Sequence, residues 1–153
     1  MEAHYYTVDL KWEQDRKGIM SSPELTNALE VATPPPFPKG TEGIWSPEHL
    51  LTASVNSCYM TTFLAIAENS KLEFTSFSCS AGGKLEQVDG KYLMTEIHLE
   101  PTLVITKESD LEKAERILQK SEVACLISNS IKSKVTLTTH IKFDKWQVPS
   151  QIS

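Results

Sequence analysis

The sequence predicts an α+β fold in which largely antiparallel strands pack around one long buried helix. Three observations carry this. Apolar residues alternate with polar ones over His4–Trp12 and again over Lys134–Trp146, the period of a strand with one buried face. The stretch from Ser46 to about Asn69 is helical in pattern and apolar on most sides. Two long strand candidates, Leu72–Leu85 and Tyr92–Ile105, are joined by Val88-Asp89-Gly90-Lys91, whose Asp-Gly pair favours a tight hairpin turn.

The elements follow in order. Tyr6, Val8, Leu10 and Trp12 share one face of the first strand, and Gln14–Gly18 is a polar turn. Ile19–Ser22 reads as the returning strand. Leu25–Val31 reads as a third, although its Ala and Leu suit a helix equally. Thr33–Gly40 contains four prolines, each lacking a backbone donor, and is a loop within the domain. Ser46 is placed to cap the long helix, with Pro47 at its first position and Glu48 in its first turn. Ser109 and Glu112 have capping-box spacing, which predicts a second helix carrying Leu111, Ala114, Ile117 and Leu118. The segment from Ser121 onward either continues that helix or forms a short separate one around Cys125. Lys134–Trp146 closes the fold as one strand. Residues 147–153 are expected to be a frayed tail, and the chain is expected to form a single domain over 1–153.

The bulk properties exclude several function classes. The chain has 153 residues, 40% hydrophobic and 23% charged, with a formal net charge of −5. A single domain of this size buries a core without metals or structural disulfides. Its negative charge argues against nucleic acid or an anionic membrane as partner. No run is read as approaching the roughly 20 apolar residues of a membrane span. Met1–Tyr6 lacks the charged-then-apolar order of a signal peptide, so a cytoplasmic location is expected. The four histidines (His4, His49, His98, His140) are scattered and lack metal-ligand spacing, so neither metal nor cofactor is expected.

The chemistry then rests on cysteines. Three of them, without Cys-x-x-Cys spacing, are free thiols in a reducing compartment, and a disulfide there is transient and functional. A cysteine on an apolar helix is most often a small hydrophobe. Cys58, however, has Ser54, Asn56, Ser57, Thr61 and Thr62 nearby, more small polar groups than a purely structural helix needs. Cys125 has Ser128 and Asn129 nearby. Cys79, in mid-strand, has no distinctive neighbours. A nucleophilic cysteine must be a thiolate, which calls for a cation. Arg116, beside Glu112 and Glu115, reads as a solvated helix-face charge. Arg16, at the tip of the first turn, is the other candidate, with solvent exposure as its ordinary fate. Glu48 is suited to orient an arginine, although its place in the helix's first turn is already accounted for by the helix dipole.

Ser46-Pro47-Glu48-His49-Leu50-Leu51, a cysteine ten residues after Glu48, and the late Cys125-Leu126-Ile127-Ser128-Asn129 together resemble the OsmC/Ohr family (osmotically inducible protein C and organic hydroperoxide resistance protein). That family shows a Pro-Glu-x-Leu helix start, a cysteine ten residues later and a Cys-Pro-x-Ser segment, in the same element order. The resemblance implies an intertwined homodimer of OsmC-like fold, with sites at the subunit interface. It implies a thiol-dependent peroxidase acting on organic hydroperoxides. Cys58 would attack the O–O bond and become a sulfenic acid, and Cys125 would resolve it to a disulfide. Arg16 would stabilise the thiolate and Glu48 would hold the arginine. A thiol reductant, in some members a dihydrolipoyl group, would restore the dithiol. Leu126 departs from the family's proline, and Ser57 from its usual small apolar residue.

On one straight helix, ten residues place Glu48 about 15 Å from Cys58. Either the helix is broken between them or Glu48 acts on the other subunit's Cys58. Tyr59, Phe63, Phe37 and Trp45 are candidates for an apolar pocket, and equally for ordinary core. Two other readings stand beside the peroxidase. One is a non-enzymatic dimer of the same fold binding a small apolar ligand. The other is a thioesterase-like fold, which leaves the Cys-x-x-Ser segment without a role.

Overall fold

A computed structural model describes residues 1–144. They form two compact units, residues 1–50 and the chain from residue 51 onward. The tail at 147–153 and the end of the last predicted strand, including Trp146, lie outside the described residues.

The first unit is a three-stranded antiparallel sheet of β1 (Asp9–Gln14), β2 (Lys17–Ser21) and β3 (Leu29–Ala32), with β2 in the middle. The predicted strand from His4 begins later, at Asp9, and the third strand is only four residues long. The β1–β2 register shifts between Trp12 and Gln14, where a bulge tightens the turn at Asp15-Arg16. The Trp12 indole N–H donates to the Asp15 carbonyl at 3.1 Å and pins this turn. Gly18 is central: a Cβ there would lie 2.8 Å from the Lys11 carbonyl oxygen. The proline loop folds back on itself through Phe37 N–H to Pro34 O, Gly40 N–H to Phe37 O and Thr41 N–H to Thr33 O.

Helix α1 (Pro47–Asn69) starts and stops where the sequence predicts. Its cap forms as expected, with the His49 N–H donating to Ser46 Oγ at 3.2 Å. Apolar nearly all round, α1 buries one row within the chain, Val55, Tyr59, Phe63 and Ala67, and leaves Met60 and Leu64 exposed. It is also long and apolar enough by length and composition to cross a membrane, contrary to the reading that no run approaches this. Its buried row instead packs against protein.

In the second unit, β4 (Phe74–Val88) and β5 (Lys91–Ile105) form a long hairpin. Its two-residue turn, Asp89-Gly90, has φ of 51° and 79°, which the Asp-Gly pair tolerates. A 3-10 turn (Glu108–Asp110) leads into α2 (Leu111–Val123). The predicted capping box is absent. Ser109 lies inside the 3-10 turn, and the N-cap Asp110 makes no side-chain capping bond.

The last strand is two. β6 (Lys134–Leu137) and β7 (His140–Phe143) both run parallel to β5, along the edge opposite β4. The expected antiparallel pairing therefore fails here, because the chain returns to β5 through the crossover helix α2. Between them Thr139, half-buried in step with Leu137 and Ile141, turns its hydroxyl to the Glu115 carboxylate of α2, at 2.7 and 2.8 Å from its two oxygens.

The core lies between this sheet and the helices. Ile97, Leu99, Leu103 and Ile105 alternate on the inner face of β5 and meet the α1 row and Ala114, Ile117 and Leu118 of α2. Phe63 stacks on Phe77, with centroids 4.5 Å apart, and meets Phe74 edge-on at 5.4 Å. The buried Tyr59 hydroxyl donates to the Leu118 carbonyl at 2.9 Å, tying α1 to α2. Phe63→Ala is expected to destabilise the protein by about 3–5 kcal/mol in urea unfolding. A loss below about 1 kcal/mol would contradict this packing.

Candidate active site

Cys58 lies on α1 beside the buried row and is half-buried. Thr62, one turn on, places its hydroxyl 3.9 Å from the sulfur. The neighbouring hydroxyls serve the helix backbone: Thr61 donates to the Cys58 carbonyl and Ser57 to the Ser54 carbonyl.

Cys125 follows α2 and is fully buried. A compact turn holds it. Its N–H donates to the Glu122 carbonyl at 3.2 Å, and its carbonyl accepts from the Asn129 N–H at 3.1 Å. The Asn129 side chain donates to the Val123 carbonyl, and the Ser130 hydroxyl to the Leu126 carbonyl. Of the two residues that made this segment conspicuous in the sequence, Asn129 fixes the turn, together with Ser130. Ser128 Oγ is buried against the Cys125 sulfur but makes no hydrogen bond of good geometry.

The fold brings the two thiols within hydrogen-bonding reach and splits their acidities. Burial pushes the Cys58 thiol up. The Ile127 N–H, the Cys125 S–H, the Thr62 hydroxyl and the Leu126 N–H together outweigh burial and hold it below its ordinary value. Cys125 is pushed up, chiefly by burial; hydrogen bonds from Ser128 pull it part of the way back, and Cys58 adds smaller pushes upward. Cys58 therefore ionises first, and Cys125 keeps its proton and donates to it. Cys79 behaves differently: burial on β4 pushes it up to about 11, and its sulfur donates to the Ser80 carbonyl at 3.8 Å. It is an inert thiol of the sheet.

Arg16 and Glu48 belong to the first unit. Arg16 sits at the β1–β2 turn and borders an apolar hollow of about 230 Å³ lined by Leu10, Trp12, Val31 and Pro47. Glu48 lies in the first turn of α1 with one carboxylate oxygen out of solvent. The helix runs unbroken from Pro47 to Asn69, so a break between Glu48 and Cys58 is excluded. Of the predicted pocket residues, Tyr59 and Phe63 are core, without solvent exposure, and cannot line a substrate site. Among the described residues, no group of three His, Cys, Asp or Glu side chains is placed to hold a metal ion.

Three contributors to the site escaped sequence reasoning. Two are main-chain N–H groups, of Ile127 and Leu126, which no side-chain identity encodes. The third, Thr62, was visible only as a generic polar neighbour.

Comparison with known proteins bears on the family and the fold. The family model described as OsmC-like protein matches residues 40–140. The uncharacterized protein YmaD of Bacillus subtilis (strain 168) is 25% identical over 142 residues, covering 90% of this chain and 93% of that one. An OsmC-like protein of unknown function from Vibrio cholerae O1 biovar eltor superposes with a TM-score of 0.80 at 22% identity, over 90% of this chain and 99% of that one. An organic hydroperoxide resistance protein from Elizabethkingia anophelis superposes with a TM-score of 0.72 at 18% identity, over 94% and 100%. A match spanning most of the chain, together with this shared fold, places the protein in the OsmC-like family.

Proposed function

We propose that this protein is a cysteine-based peroxidase that reduces organic hydroperoxides. The single observation that supports this most is the acid–base split between two adjacent thiols, Cys58 low and Cys125 high. The structural likeness to a protein named for organic hydroperoxide resistance supports the substrate class.

The reaction proceeds in three steps. The Cys58 thiolate attacks the distal oxygen of the hydroperoxide and the O–O bond breaks. The alkoxide leaves as the alcohol after taking a proton, and Cys58 becomes a sulfenic acid. Loss of the Cys58 anion then removes one of the smaller influences that raise Cys125 above its ordinary value, burial remaining the largest, so Cys125 ionises more readily than before. Its thiolate attacks the Cys58 sulfur, an S–S bond forms, and the sulfenic oxygen leaves as water. A dithiol reductant, in the manner of a dihydrolipoyl group, supplies two electrons and two protons to restore both thiols. The acidity order thus also sets the order of events.

A homodimer completes the proposal. Val8, Leu10 and Trp12 lie exposed on the first unit, Trp12 at 73%, and Met60 and Leu64 lie exposed on α1. A second copy is the occupant that would cover such surfaces. Arg16 would hold the Cys58 thiolate through its guanidinium donors, and Glu48 would orient the arginine beside the partner subunit's Cys58.

One equivalent of hydroperoxide is expected to lower the intact mass by two hydrogens, with a Cys58–Cys125 link in the peptide map. Cys58→Ser abolishes consumption, and Cys125→Ser performs one fast turnover and stalls. An unchanged mass would leave a non-enzymatic binding dimer as the better reading. The shared site has its own test. Glu48→Gln and Cys58→Ser are each expected to be impaired. Refolding the two together restores about a quarter of wild-type activity, because random pairing makes half the dimers mixed, each with one complete site. No recovery in a mixture that does form mixed dimers would overturn the assignment of Glu48 to the partner's site.

A further inference from the structure

Ser46-Pro47-Glu48-His49 has the spacing of a capping box, with histidine where glutamate or glutamine is usual. Both halves of the box form. The His49 N–H donates to Ser46 Oγ at 3.2 Å, and the Ser46 N–H donates back to His49 Nδ1 at 3.4 Å. Ser46 Oγ also lies 2.7 Å from Nδ1. An amide N–H can only donate, so Nδ1 presents a lone pair and the proton of the neutral ring sits on Nε2. Ser46 is fully buried, and its carbonyl accepts from the Leu50 N–H at 2.9 Å. Trp45 meets the imidazole edge-on, with centroids 6.2 Å apart.

We propose that His49 is a positioning residue whose cap closes only while its ring is neutral, and that protonation opens the start of α1 and makes the seat of Glu48 sensitive to pH. With Nε2 already occupied, a second proton can enter only at Nδ1. A protonated Nδ1 is a donor. It still meets Ser46 Oγ, but the buried Ser46 N–H then faces another donor and loses its acceptor. The new charge also stands in the first turn, at the positive end of the helix dipole. Glu48 lies between the two capping residues, so it moves with the cap. The charged groups near the ring act in both directions. Glu48 precedes it on the helix, and Glu42 shares with it the hollow lined by Pro35, Ile44 and Trp45. Both carboxylates attract a protonated ring. Arg16 and Lys17 border the neighbouring hollow at Pro47 and repel it, Lys17 less so because Glu30 holds it at 3.3 Å. These charges bear on how readily the ring takes its proton. The cap depends on where that proton goes.

The test compares wild type with His49→Gln, which keeps an acceptor that does not titrate, and with His49→Ala, which has none. Urea unfolding is followed at pH 8 and pH 5. Referring each value to the Gln protein cancels the titration of His4, His98 and His140. At pH 8 wild type and Gln are expected to be equally stable, and Ala about fivefold lower in its folding equilibrium constant. At pH 5 wild type is expected to fall to the level of Ala, with Gln about fivefold above both. Nitrogen-15 spectra of the wild type are expected to show Nδ1 of His49 unprotonated at pH 8, and a Ser46 amide proton that moves upfield as the ring is protonated. A wild type that keeps the same ratio to Gln at both pH values, or a neutral ring protonated on Nδ1, would overturn the proposal. Neither readout involves peroxide, so a failed cap leaves the peroxidase reading standing, and an inactive protein leaves the cap standing.

Discussion

The hydrogen bonds that converge on the Cys58 sulfur are the constraint on which the site depends. A half-buried thiol ought to resist ionisation, because burial penalises the anion. Cys58 escapes that penalty because a turn from a distant part of the sequence delivers two amide N–H groups and a second thiol to it. Without those donors, the two cysteines would be small hydrophobes, the commonest fate of cysteine in a core.

The rest of the second unit can be read as the scaffold for that meeting. The α1 row of Val55, Tyr59 and Phe63 locks the helix against β4 and β5, which sets the height and rotation of Cys58. The Tyr59 hydroxyl ties α1 to the α2 backbone at Leu118, seven residues before Cys125. Glu115 anchors α2 to the β6–β7 break through Thr139. The Cys125 turn is then closed by Asn129 and Ser130. Each link is an ordinary packing or hydrogen-bond device, and together they hold one sulfur at a set of donors that includes no charged side chain among the described residues of this unit. The resulting order, a low Cys58 and a high Cys125, also gives the chemistry its direction. The residue that must attack first is the one that ionises first.

What the sequence made legible follows physical lines. α1 was readable to the residue because Ser46, Pro47 and Glu48 mark its start and apolar residues sustain its length. The β4–β5 hairpin was readable from Asp89-Gly90, which has few other uses. The parallel β6 and β7 were not readable. Alternation reports a strand's faces but not its direction, and the crossover through α2 decides that. The capping box at Ser109 failed because a 3-10 turn intervenes, a choice that local spacing does not encode. Cys58 and Cys125 could be picked out as a pair by resemblance, and their polar neighbours hinted at a site. The donors that distinguish them could not be picked out, since they are backbone groups placed by the fold. The exposed row through Leu10 and Trp12 was legible as a strand face, but its lack of a cover among the described residues was not.

The most direct test is a titration of protein labelled with carbon-13 at the cysteine β-carbons, with signals assigned by single Cys→Ser substitutions. The expected result is a Cys58 signal that moves at a lower pH than an ordinary thiol, a Cys125 signal that moves at a higher one, and a Cys125 midpoint that falls in the Cys58→Ser protein. Coincident midpoints for the two cysteines, or a Cys58 that titrates above Cys125, would contradict the assignment of attacker and resolver.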